Sequence, residues 1–212
     1  MTLNYQLVKE KKLKLKFPSE LFINGNYQKS LSDKFFDNIS PIDGKIINQI
    51  SFAQQEDIDK AVSSAKEVFQ KGYWSNLPPG QRKKILLKFA ELLERDRLEL
   101  SLLDTIDMGK TINDTYNADL PTSIDNIEWY AEIIDKLFDD VSPSSKEFMG
   151  LITKEPIGVV AAIVPWNYPL WMAIWKIAPA LITGNSVILK PAEQSPMSAI
   201  KIGALLSESG VP

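Results

Sequence analysis

The 212 residues contain neither cysteine nor histidine. That removes Ser-His and Cys-His triads, the common zinc sites and the usual neutral-pH general base. What remains for chemistry is a few polar residues in apolar surroundings. Asn167 stands inside Pro165-Trp166-Asn167-Tyr168-Pro169; asparagine suits a turn between prolines, and the spacing alone favours that reading. Lys176 sits in an otherwise apolar helical stretch, where an unpaired ammonium is costly and calls for a partner or a function. Lys190 and Glu193 follow an apolar run, where open α/β sheets present ligands at the carboxyl ends of their strands. Taken alone, that pair equally suits an exposed turn with an incidental ion pair.

The elements that must position these residues follow from periodicity. Val159 to Val164 is a continuous apolar run that predicts a strand covered on both faces, Leu170 to Ile182 a helix closed by Gly184, and Ser186 to Leu189 a second buried strand. Ser195-Pro196 then predicts the cap of a helix reaching about Glu208. Strand, helix, strand, helix at this spacing is the βαβ unit of a parallel sheet. Its first turn lacks the Gly-x-Gly-x-x-Gly pattern, so no dinucleotide site follows from glycine spacing. Upstream, Phe22 to Ile50 reads as short strands with turns at Asn24-Gly25 and Asp43-Gly44. Apolar stripes then predict amphipathic helices from Glu56 to Gly72, after Pro78-Pro79 toward Gly109, and around Ile124 to Phe138.

Composition excludes other classes. A net charge of -3, with both signs mixed along the chain, gives no surface for nucleic acid. The basic run Lys9 to Lys16 reads as a solvated face. Pro156 to Trp175 carries no charge, but Pro165, Asn167 and Pro169 argue against a membrane span. The opening residues lack the pattern of an export signal, so cytoplasmic residence is expected.

Two segments carry a resemblance. Ile163 to Pro169, with Trp175-Lys176 and Pro179-Ala180-Leu181, and then Gly184 to Pro196, resemble the first strand and turn and the ribose-binding turn of aldehyde dehydrogenases. The resemblance continues upstream through Asp104 to Lys110 and Trp129-Tyr130-Ala131 to Phe22-Ile23-Asn24-Gly25, nearest to enzymes of γ-glutamyl-γ-aminobutyraldehyde and betaine aldehyde. It implies an α/β fold: an incomplete Rossmann-like parallel-sheet cofactor domain preceded by a short β-rich segment and amphipathic helices. Residues 1–20 are then a tail, residues 21–212 the N-terminal part of that domain, and 148–155 a strand of an oligomerisation excursion.

The resemblance also implies roles. Asn167 would donate to the oxyanion formed when a thiolate attacks the aldehyde, and Lys176 would lie near the reacting centre. Ile163, Val164, Pro165, Trp166, Asn167, Lys190, Ala192 and Glu193 would bind NAD, with Lys190 and Glu193 on the adenosine ribose. An acid there favours NAD over NADP, a preference that the adjacent Lys190 partly offsets. Ile39, Asp107 and Gln194 would hold a monovalent cation. The partners implied are a small-molecule aldehyde, an amino-aldehyde in the nearest members, and further copies of the chain in a homo-oligomer. The family's nucleophilic cysteine and deacylating glutamate fall beyond the ribose-binding turn, so the 212 residues alone are expected to be inactive. The alternatives are a non-catalytic subunit or split half completed by a partner chain, and a membrane-associated protein as the least favoured.

Overall fold

The computed structural model describes residues 3–212. Two antiparallel hairpins open the globular part: β1 (Leu21–Ile23) with β2 (Asn26–Gln28), and β3 (Phe35–Ile39) with β4 (Ile46–Ser51). They are preceded by a helix the sequence does not announce, α1 (Tyr5–Lys14), capped by the Asn4 side chain on Gln6 and Leu7. Within the stretch expected as a tail, α1 therefore forms regular structure, and Lys11 pairs with Glu99 at 2.7 Å.

The helical body follows the apolar stripes. It comprises α2 (Gln55–Gln70), α3 (Pro79–Arg95), α4 (Arg97–Met108), a short α5 (Ile112–Asp114) running into a π-helical turn (Thr115–Asp119), and α6 (Leu120–Ile133). The long stripe after Pro78 is two helices, broken at Asp96; Gly109, in the left-handed region at φ 71°, ends the second. A third hairpin, β5 (Asp140–Ser142) with β6 (Gly150–Ile152), stands off the body with Val141, Leu151 and Ile152 exposed.

The last third is the expected βαβ unit: β7 (Val159–Ile163), α7 (Pro169–Ile182) and β8 (Ser186–Lys190), then α8 (Met197–Ser209). β7 and β8 are parallel, in register from Val159 opposite Ser186 to Ile163 opposite Lys190. Asn185 pins this unit, accepting from Gly158 N and donating to Ala180 O. The core lies where α3, α6, α7 and α8 meet, around Phe89, Leu93, Ile127, Ile174, Ile177 and Ile202.

Two expectations fail. β7 is not covered on both faces: Ala161 and Ile163 are exposed, because the α2 and α7 helices packed on this two-stranded sheet leave its end uncovered. Nor does Ser195 cap α8. The cap position is Pro196, which offers no side-chain acceptor, and the amide of Met197 is instead met by Asp107. A carboxylate at a helix amino end is favourable whether or not it is local in sequence.

Candidate active and cofactor site

The carboxyl ends of β7 and β8 lie side by side, and a turn leaves each. After β7, Val164 donates its amide to the carbonyl of Lys190 at 3.1 Å, extending the ladder by one bond. The chain then swings through Pro165, Trp166 and Asn167 into α7. The residue that makes this turn is Tyr168, at φ 49° and ψ 55° in the left-handed region, rather than Asn167. For a bulky residue this conformation costs about 1–2 kcal/mol, and such strain concentrates at functional sites. Asn167 is half-buried and lines a cleft of about 370 Å³ with Met108, Lys110, Trp166 and Tyr168. Ile163 and Trp166 are exposed, a bare apolar surface at the strand ends.

After β8, Lys190 and Glu193 form an ion pair, with about half of each side chain in solvent. The Lys190 ammonium holds the Glu193 carboxyl below its ordinary value. Ala192 is buried beneath the turn. The two turns are joined a second time: Ser195, itself buried, donates its hydroxyl to the carbonyl of Trp166 at 2.8 Å. Nothing in the sequence near Ser195 signals this tie, which spans 29 residues and leaves no local pattern. Lys190 and Glu193 do not line the Asn167 cleft; the backbone joins the two turns.

Lys176 is on the exposed face of α7, its ammonium 5.3 Å from the Trp175 ring centre. The desolvation argument for a function at this lysine therefore falls away, since water reaches it. Of the three cation candidates, Ile39 is exposed, and both oxygens of Asp107 already accept hydrogen bonds, from Asn38 Nδ2 and Met197 N, each at 2.8 Å. Among the described residues no cluster of three metal-ligating acidic side chains occurs.

Beneath the two turns lies a pair of buried carboxyls on one face of α4. Asp104 accepts from Leu170 N, in the first turn of α7, at 3.4 Å, and Asp107 from Met197 N at the start of α8. One helix thus touches the amino ends of the two helices that follow the two turns. Burial pushes Asp104 up to about 7, with the charge of Asp107 adding and the nearby Ser198 opposing, and pushes Asp107 up to about 6 against the bond from Asn38. The Oδ1 atom of Asp104 has no hydrogen-bond partner, nor has the hydroxyl of Ser198, so Ser198 compensates the carboxylate weakly.

The sign of the pH dependence follows. Both folded carboxyls hold protons above the ordinary value of 3.8, so between about pH 4 and pH 7 the folded chain binds more protons than the unfolded one. Stability then falls as pH rises through that window. Groups held low, such as Glu99 and Asp57, lose their contribution only below about pH 4.5. Urea unfolding at pH 5 and pH 7.5 is expected to show a loss on the order of 3 kcal/mol. Asp104→Asn should flatten most of that slope, and an unchanged slope would contradict the assignment.

Comparison with known proteins identifies the family. The model of the "Aldehyde dehydrogenase family" matches residues 27–212. The NADP/NAD-dependent aldehyde dehydrogenase PuuC of Escherichia coli is 44% identical over 203 residues, 96% of this chain and 41% of that protein. Aminoacetaldehyde dehydrogenase of Pseudomonas aeruginosa is 38% identical over 93% of this chain and 40% of its own length. The chain thus spans about two-fifths of the length of these curated relatives. Among solved structures, an indole-3-acetaldehyde dehydrogenase complexed with NAD+ superposes with a TM-score of 0.96 at 46% identity, covering 100% of this chain and 43% of that one. The γ-glutamyl-γ-aminobutyraldehyde dehydrogenase of Burkholderia cenocepacia gives 0.96 at 42% identity, over 99% and 43%.

Proposed function

The chain belongs to the aldehyde dehydrogenase family, and from that premise we propose that it holds the adenosine end of NAD and supplies the oxyanion donor for oxidising an aldehyde to its acid. The observation that carries this reading is the double tie between the turns, Val164 to Lys190 and Ser195 to Trp166, at the adjoining carboxyl ends of β7 and β8. Ligands of open α/β sheets bind at such strand ends.

The residues suit the cofactor. Lys190 and Glu193 are exposed and paired with each other at the surface, so both can turn to the vicinal hydroxyls of a ribose. Ile163, Pro165 and Trp166 give an uncovered wall for a flat ring system. NAD, when bound, supplies the hydride acceptor. The chain's own part is to hold the sugar through Lys190 and Glu193, and to offer the Asn167 amide to an oxygen on which charge develops.

With no cysteine in its 212 residues, the chain supplies no thiolate, and the reading assigns the covalent step to a segment it does not contain. A monovalent cation at Ile39, Asp107 and Gln194 would share the Asp107 carboxylate with its two present hydrogen bonds, each oxygen having a second lone pair to offer. The substrate class to test first is the amino-aldehydes, named in two of the relatives above. An aromatic aldehyde comes next, after the indole-3-acetaldehyde enzyme. Assembly of copies through the apolar β5–β6 hairpin and residence in the cytoplasm belong to the same proposal. Among the described residues no helix is long and apolar enough to cross a membrane.

The direct test is titration of NAD, followed by calorimetry. Glu193→Ala removes a charged acceptor, and affinity is expected to fall about tenfold, with the preference for NAD over NADP narrowing as well. An unmodified chain that shows no saturable binding of NAD would leave the cofactor reading without support.

A further inference from the structure

The turn that presents Asn167 is gripped from outside by a cation. Lys110, one residue past the Gly109 cap of α4, places its ammonium 4.3 Å from the centre of the Tyr168 ring. That ammonium is itself fixed, donating to both carboxylate oxygens of Asp119 at 2.7 and 2.6 Å. Asp119 is almost fully buried and is the last residue of the π-helical turn Thr115–Asp119, a rare geometry that tends to mark functional sites. The Tyr168 ring also meets Trp171 edge to face at 5.4 Å.

These contacts converge on a strained residue. Tyr168 precedes Pro169, a position biased toward extended backbone, yet it is left-handed. Left to itself it would relax, and Asn167 would move with it. A partly buried cation over a tyrosine face contributes about 1 kcal/mol, comparable to the lower end of that strain. The carboxylate also keeps Lys110 from wandering into the cleft that it lines with Asn167.

We propose that Lys110, anchored by Asp119, is a positioning residue for Asn167: it clamps the Tyr168 ring and so fixes the left-handed turn from which the Asn167 amide is presented. The clamp is a property of the fold, whereas its bearing on catalysis rests on the oxyanion role proposed above.

Hydrogen exchange read by mass spectrometry on the 212-residue chain separates the two. The amides of Leu170 and Met172, bonded to Asp104 and to the Tyr168 carbonyl, report on the turn, and the α3 peptide around Leu86 to Leu93 reports on the core. Lys110→Met keeps the aliphatic stem and removes the charge. It is expected to speed exchange in the segment 165–172 about tenfold while the α3 peptide is unchanged, and Lys110→Arg is expected to restore protection. Unchanged exchange in the segment, or loosening spread equally over the α3 peptide, would overturn the clamp. Should Lys110→Met fail to fold, Tyr168→Leu decides, because it leaves the Lys110–Asp119 pair intact and removes only the ring. Local loosening there supports the clamp and full protection refutes it. None of these readouts needs NAD or turnover, so failure of the oxyanion role would appear separately, in the Asn167 variant described below.

Discussion

Asn167→Ala is expected to lower kcat by about 10²–10³-fold while the KM for aldehyde changes little, in a chimera joining this chain to the nucleophile-bearing remainder of the E. coli relative. The reasoning is differential. A donor aimed at the oxygen of a tetrahedral adduct gains strength only as charge develops there, so its loss appears in kcat and kcat/KM together. Asn167 is half-buried and lines a cleft between the turn and the end of α4, which holds its amide in place. Steady-state rates at saturating NAD check this. A fall in NAD affinity of the same size, with kcat intact, would instead make Asn167 a cofactor residue and remove it from the chemistry.

Arg82→Met should be the most destabilising single change outside the site, by about 3–5 kcal/mol. Arg82 is buried, and among the described residues no carboxylate pairs with it. Its guanidinium donates to the carbonyls of Ile182 at 2.9 Å, Ser75 at 3.2 Å and Leu77, and burial alone lowers its pKa. Together with Trp74, which donates to Leu181 O at 2.8 Å, it closes the carboxyl end of α7, where a positive charge is favoured. Methionine fills the volume but leaves three carbonyls without their donor, that of Ile182 in the interior and those of Ser75 and Leu77 at its margin. Lys83→Met is the comparison, since Lys83 lies one residue on and pairs with Glu132 and Asp135 at the surface; its loss should cost under about 1 kcal/mol. Urea denaturation of the two variants separates them, and equal losses would refute the account of Arg82.

How much of this could be read in advance depended on range. The βαβ unit was legible because its signals are local: an apolar run, a 3.6-residue stripe, a glycine stop and a second run. The stripes of α3 and α6 were legible for the same reason. The aldehyde dehydrogenase resemblance likewise rests on contiguous motifs, and comparison with known proteins bears it out. What escaped were contacts across long separations. Asp104 meets Leu170 over 66 residues and Asp107 meets Met197 over 90, so spacing along the chain carries no trace of either. Tyr168 escaped for a different reason. Local preference before a proline opposes the left-handed region, and only the surrounding contacts hold the residue there. α1 lacks an amphipathic stripe, which left its lysines to be read as a solvated run.

One carboxylate, that of Asp107, holds Asn38 from the β3–β4 hairpin with one oxygen and the leading amide of α8 with the other. The β3–β4 hairpin is therefore part of what seats α8. Trimming it away would remove one of the two bonds to the buried Asp107 carboxyl and slacken the helix behind the sugar-binding turn, some 150 positions away in the chain. Shortened variants that lack the hairpin should be judged by their grip on nucleotide before their yield.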